Sequence, residues 1–337
     1  MRAVNSALSL IGNTPMVRLT KLTKGIEANV FVKCEYFNPS GSYKDRMALR
    51  MIEEAEKEGK LKPGGTVIDQ TSGNTGPALS FVGNVKGYKV KLLIPSEWVG
   101  PYNPTSRIMI MKLFGAEVEH FTTTGYEKVI DQMTPDEKSS AQMFVGMKKC
   151  HELERSDPRI WWANQMCNPN NTAAHRDTTG KEILEQTDGK VDAWVASIGS
   201  GGTLFGVAET LRKKNPSVKV VGVEPQDTPV TDWMKNTAAF DRLFRLFGVP
   251  RLKFIVETYL EKGLPDQVIR PKDEDAREMA NRLCREEGLF CGMSSGANVW
   301  AAIQLAKKMK KGENVVAVLV DRRDRYFPEH PKEHYVV

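Results

Sequence analysis

The sequence predicts an α/β protein with mainly parallel sheets, helices on both sheet faces, and two halves. Three observations predict it. Short apolar strands alternate with amphipathic helices along most of the chain, the pattern of strand–helix–strand crossovers. Glycine-containing loops at 71–76, 199–202 and 292–296 each follow a strand or precede a helix. Residues 122–159 are polar and helical in pattern without a strand, and read as the crossing between the halves. Ligands of open parallel sheets bind in the cleft that such an arrangement leaves.

Taken in order, residues 11–19 give a turn and a short apolar strand, and 29–34 a second strand. Asn38, Pro39, Ser40 and Gly41 punctuate a loop. From about Tyr43, Met47, Met51, Ile52 and Ala55 recur with Glu53, Glu54, Glu56 and Lys57 between them, which predicts an amphipathic helix. Lys62, Pro63, Gly64 and Gly65 turn the chain into a buried strand at 66–69. An apolar helix at 77–84, a strand at 90–94, a helix at 107–114 and a strand at 117–121 follow. Beyond the crossing come a helix at 178–185, a strand at 193–198, a helix to about 213 and a strand at 218–223. Helices at 273–287 and 298–310 lead to a closing apolar strand at 315–320.

Composition excludes several classes. A content of 40% apolar and 27% charged residues is that of an ordinary globular domain. No apolar run is long enough to cross a bilayer, and the first residues lack the apolar core of a signal peptide, so a cytoplasmic protein is expected. Cys34, Cys150, Cys167, Cys284 and Cys291 have no metal-ligand spacing and are expected to be reduced thiols, with no metal bound. The net charge of +6 is spread through interleaved acids and bases, which suits anionic small molecules and not nucleic acid.

Lys44 stands in the first turn of its helix. Amide dipoles place partial positive charge there, so a second cation is disfavoured and the amine gives up its proton more easily. A neutral lysine amine forms a Schiff base with an aldehyde cofactor. Lysines at helix starts more commonly snorkel to water, so the role depends on partners elsewhere in the chain. Gly199, Ser200, Gly201, Gly202 and Thr203 provide one: glycine turns, a helix start and two hydroxyls make a phosphate cup. A dinucleotide fingerprint fails because Leu204 occupies its third glycine position, and a merely structural tight turn remains the other option. Thr71, Ser72, Asn74 and Thr75 beside Gly73 and Gly76 would wrap a carboxylate, or Ser72 or Asn74 would cap the next helix. Ser294 and Ser295 are cap or ligand candidates of the same kind.

In combination these residues resemble the fold type II pyridoxal 5′-phosphate enzymes, in the branch of O-acetylserine sulfhydrylase (cysteine synthase) and cystathionine β-synthase. The marks run through nearly the whole chain: Ile11-Gly12-Asn13-Thr14-Pro15, Asn38-Pro39 with Ser42 to Arg46, Thr71 to Gly76, Gln165 with Asn168-Pro169, His175 with Thr178-Thr179-Gly180, Gly199 to Thr203, Val223-Glu224-Pro225, and Gly292 to Ala297. The resemblance implies two three-layer α/β/α domains with the cofactor in the cleft between them. Residues 1–12 and 38–152 would form the smaller, mobile domain, and 13–37 and 153–337 the larger, with no regulatory domain. Lys44 would carry the cofactor and shuttle the Cα proton. Asn74 would bond the cofactor's 3′-oxygen, Gly199 to Thr203 would hold its phosphate, and Ser294 would face the pyridine nitrogen. Thr71, Ser72, Thr75 and Gln165 would bind the substrate carboxylate. A serine hydroxyl is too weak an acid to keep the ring nitrogen protonated, which favours rapid loss of a β-leaving group through an aminoacrylate.

The implied activity is β-replacement on an L-serine derivative, or on serine or cysteine, with a thiol or other nucleophile as co-substrate, in a homodimer serving cysteine and sulfur metabolism. The alternatives are a serine or threonine dehydratase and a catalytically idle relative. His175 is expected to pack between helices and Cys167 to be an inert thiol. Four stretches depart from the family pattern: Tyr43, residues 98–105, residues 231–263 with Trp233, Phe240, Phe244 and Phe247, and Asp321 to Tyr326, where Arg322 or Arg323 would meet an anionic group or simply be solvated.

Overall fold

The computed structural model describes residues 3–96, 105–227 and 229–327, so the departure at 98–105 lies outside the described residues except for Thr105. In chain order the strands are β1 (Met16–Arg18), β2 (Asn29–Cys34), β3 (Thr66–Gln70), β4 (Lys89–Pro95), β5 (Glu117–Phe121), β6 (Ile160–Trp162), β7 (Ala193–Ser197), β8 (Lys219–Val223), β9 (Gln267–Ile269) and β10 (Asn314–Leu319). They form a six-stranded sheet in the order β1-β2-β10-β7-β8-β9 and a four-stranded sheet in the order β5-β4-β3-β6. Every pairing is parallel except β1 on β2. Ala193, Trp194, Val195 and Ala196 of β7, and Val315 to Leu319 of β10, are buried, as parallel strands covered on both faces require.

Two strands escaped the sequence. β6 and β9 have three residues each, too few for a period-two pattern to show. β6 pairs with β3, so the four-stranded sheet extends beyond the boundary expected at residue 152. The crossing is helical as predicted, and its main helix, Ala141–Ser156, sends Phe144, Val145, Met147 and Cys150 into the core. Phe144 meets Phe244 edge-on at 5.2 Å and stacks on Phe247 at 5.6 Å. Those rings project from the Thr237–Phe247 helix. The divergent stretch 231–263 is therefore helical and packs against the crossing. It also reaches toward the cleft, since Ile255 N donates to Met166 O at 2.9 Å.

The Lys44–Lys57 helix is anchored by buried charges. The Arg46 guanidinium grips Glu35 through Nε and Nη2, each at 2.7 Å, and Glu182 through Nη1 at 2.6 Å and Nη2 at 2.8 Å. Lys33 Nζ completes the network on Glu182 Oε2 at 2.6 Å. Paired, bidentate geometry is what makes such a cluster tolerable away from water.

Candidate active site

Lys44 is the first residue of its helix and only 7% exposed. The turn before it is fixed from behind: Tyr43 N donates to Val320 O at 3.1 Å, and Ser42 bridges Asp321 just beyond the end of β10. The loop after β3 is tied to the same place, because Asn74 Nδ2 donates to Asp321 Oδ2 at 2.6 Å. Gly292 N donates to Asp321 O at 2.9 Å, which brings in the third loop. A Cβ on Gly292 would lie 2.2 Å from Asp321 Oδ1, so only glycine permits this approach. The carboxyl ends of the strands thus gather the loops that the sequence singled out.

The Lys44 amine donates to Ser200 Oγ at 3.2 Å and to Gln165 Oε1 at 3.3 Å. Gln165 Oε1 also accepts from Thr75 Oγ1 at 2.6 Å. Four predicted site residues, Lys44 and Thr75 at helix starts and Gln165 and Ser200 in separate loops, therefore form one cluster. Burial pushes the Lys44 amine down to about 8, against the opposing pull of Asp69. Where the sequence points to the helix dipole, desolvation is the leading cause. The aromatic face of Tyr43 lies 4.9 Å from the amine, which accounts for the ring next to the lysine.

The loop after β7 turns through Gly201 at φ +87° into the Gly202–Lys214 helix. Its first amides have no intrahelical acceptor and point out of the helix start. Thr203 Oγ1 shares a hydrogen bond of 3.1 Å with His175 Nε2, whose Nδ1 meets Thr179 Oγ1 at 2.9 Å. Burial, then Arg46 and Lys44, hold His175 well below the usual histidine range, so it is neutral and braces the cup, as expected of a packing residue. Burial pushes the Cys167 thiol up to about 12, consistent with an inert cysteine.

Other predicted residues are placed differently. Thr71 Oγ1 accepts from Gly73 N at 3.1 Å, and Ser72 is buried in the same turn. Asn74 is held at both ends, with Arg325 Nη1 donating to its Oδ1 at 2.7 Å. One N–H of its amide remains beyond the bond to Asp321. Ser294 is not in a loop: it occupies the first turn of the Met293–Ala306 helix and lines a small pocket with Ser197, Val223, Glu224 and Pro225. Arg322 pairs with Asp324 at 2.9 Å and Arg323 donates to Asn281 at 2.6 Å, so it is Arg325 that joins the cluster.

Two residues of the site went unnoticed in the sequence. Asp69, next to last in β3, is almost fully buried, accepts from Trp162 Nε1 at 3.1 Å and Gln165 N at 3.3 Å, and is pushed up to about 6 by burial. Its signal was an acid inside an apolar strand, which is rare without a partner. Asn171 is fully buried between Gln165 and Ser200.

An amine of lowered proton affinity beside a cup of amides and hydroxyls suits a phosphorylated aldehyde. The residues present fit such a group, with Ser200 and Thr203 as hydroxyl donors and the Gly202 helix start facing an anion. The chain belongs to the pyridoxal-phosphate dependent enzyme family, whose model matches residues 7–321. Within that family it is 39% identical to a cysteine synthase of Staphylococcus aureus, over 97% of this chain and 96% of the relative. It is 34% identical to the cystathionine beta-synthase of Mus musculus, over 98% of this chain and 56% of that protein. The structure of an O-acetylserine dependent cystathionine beta-synthase from Helicobacter pylori superposes with a TM-score of 0.79 at 29% identity, over 98% of this chain and 99% of that one. The chain is a β-substituting pyridoxal-phosphate enzyme of the cysteine synthase kind.

Proposed function

We propose that the enzyme replaces the β-substituent of an activated L-serine, or of serine or cysteine, with a thiol or a similar nucleophile. The observation that carries this reading is the junction at Gln165, whose side chain accepts from both the Lys44 amine and the Thr75 hydroxyl. It joins the amine that handles protons to the loop suited to a carboxylate. The names of the relatives, cysteine synthase and O-acetylserine dependent cystathionine beta-synthase, support an acylated serine as donor.

When bound, pyridoxal phosphate supplies the electron sink that lets an amino acid lose its Cα proton. Lys44 holds the cofactor and then carries that proton, a task suited to an amine near neutral proton affinity. Gly199, Ser200, Gly201, Gly202 and Thr203 hold the phosphate, with neutral His175 bracing Thr203. Thr71, Ser72, Thr75 and Gln165 receive the substrate carboxylate. Asn74, oriented by Asp321 and Arg325, offers its remaining N–H to the cofactor's 3′-oxygen. Ser294 would offer its hydroxyl to the pyridine nitrogen. The packing of 231–263 against Met166 makes that stretch a candidate for setting donor and nucleophile preference.

The test is to incubate the enzyme with O-acetylserine, O-phosphoserine, serine and cysteine, each against sulfide, homocysteine and an amine, and to weigh the products. A β-substituted alanine whose mass follows the added nucleophile is expected. Release of keto acid unaffected by every nucleophile would contradict replacement and indicate a dehydratase.

We also propose a cytoplasmic homodimer. All five cysteines are free, as a reducing compartment requires. Met109 and Leu113 on the Thr105–Leu113 helix are 45% and 79% exposed, Val85 on the Thr75–Val85 helix beside it is 49% exposed, and Leu10 on the 3₁₀ turn packed against that second helix is 55% exposed. Exposed apolar side chains on adjoining elements would suit a subunit interface. Sedimentation at twice the chain mass is the expected result; a monomer at micromolar concentration would count against it.

A further inference from the structure

Asn171 is neither a cap nor a surface residue. Its side-chain nitrogen donates to Gln165 O at 2.8 Å and to Ser200 Oγ at 2.9 Å, and the residue is fully buried. The orientation of the amide is unambiguous, because the Gln165 carbonyl can only accept and so must face the nitrogen. Asn171 Oδ1 has no hydrogen-bond partner among the described residues, and a Cβ on Gly202 would lie 2.0 Å from it. The amide is thus pressed against the start of the helix that shapes the cup.

The consequence falls on Ser200. Its oxygen accepts from Lys44 Nζ and from Asn171 Nδ2. A hydroxyl has two acceptor lone pairs and one proton; Lys44 takes a lone pair only while its amine is free, whereas the bond from Asn171 does not depend on Lys44 and keeps a lone pair, not the proton, turned toward Asn171. Among the described residues Ser200 Oγ donates to none.

We infer that Asn171 is a positioning residue that fixes the Ser200 hydroxyl as a donor to the cofactor's phosphate and couples that donor to the Gln165 backbone. The inference rests on the proposed cofactor site. Without Asn171 the hydroxyl can rotate and present a lone pair to the anion, and one donor to the phosphate is lost for part of the time.

The experiment compares pyridoxal 5′-phosphate with pyridoxal, which lacks the phosphate, as ligands of the full-length protein stripped of cofactor. Wild type, Asn171→Ala, Ser200→Ala and the double variant are measured, with circular dichroism and thermal unfolding confirming the fold. Asn171→Ala is expected to reduce the preference for the phosphorylated form by about tenfold, the size of one lost charge-assisted hydrogen bond. It is expected to leave pyridoxal binding unchanged and to add little once Ser200 is alanine. Equal weakening of both ligands, or full additivity with Ser200→Ala, would overturn the role. A wild type that binds the two forms equally would instead sink the cofactor site itself, and that result is distinguishable from the others.

Discussion

Replacing Lys44 with alanine is expected to abolish turnover, by at least about 10³-fold in kcat, the scale of removing a positioned proton carrier that also anchors the cofactor. Lys44→Arg is expected to fail as well, since guanidinium keeps its proton and is not a nucleophile. The fold is expected to survive, because the Ser42–Tyr43 anchoring to Val320 and Asp321 uses backbone and not the amine. A second consequence follows in the cofactor-free protein. Burial lowers the amine from 10.5 to about 8, so the unfolded chain binds more protons than the folded one between those values. Stability therefore rises with pH across that window, and Lys44→Met is expected to remove that contribution to the slope. Urea unfolding at several pH values checks the sign.

Arg46→Met is expected to be strongly destabilising. It leaves Glu35 fully buried with two of the four hydrogen bonds to its carboxylate gone and strips Glu182 of one of its two cations. Breaking a buried network in this way costs about 3–5 kcal/mol, a large part of a domain's stability. The pH dependence is a separate signature. Burial raises the Glu182 carboxyl, but Arg46 and Lys33 outweigh it and hold the group at about 2, below its ordinary 4.5. The stability this provides is present above 4.5 and is lost as pH falls toward about 2. In Arg46→Met that loss is expected to be smaller, because much of the depression is already gone. An unfolding midpoint unchanged from wild type would show that the cluster contributes nothing.

The elements that carry function were legible because local chemistry announced them. The Asn38-Pro39-Ser40-Gly41 turn followed by an amphipathic run placed Lys44 at a helix start, where the structure has it. The glycine loop before Thr203 and the crossing likewise appear where periodicity put them. What escaped depends on distance along the chain. Arg46 meets Glu182 across 136 residues, and no local pattern encodes that meeting. Asp69 read as the end of a strand; its partners Trp162 and Gln165 come from another crossover. Asn171 lies two residues beyond the Asn168-Pro169 mark, within the helix that Asn168 caps, and no local pattern sets it apart there. Residues 231–263 stand out by lacking the family's Gly-rich segment and by their aromatic rings, of which Phe240, Phe244 and Phe247 meet Phe144 while Trp233 packs on Phe240. Ser294 was placed one element too early, because Gly292 suggested a loop where the helix already begins.

The central claim is that Lys44 is the cofactor lysine. The most direct measurement is borohydride reduction of the enzyme carrying pyridoxal phosphate, followed by proteolysis and peptide mass analysis. The account predicts a phosphopyridoxyl group on the peptide containing Lys44 and loss of the label in Lys44→Ala; a label on another lysine, or none at all, would contradict it.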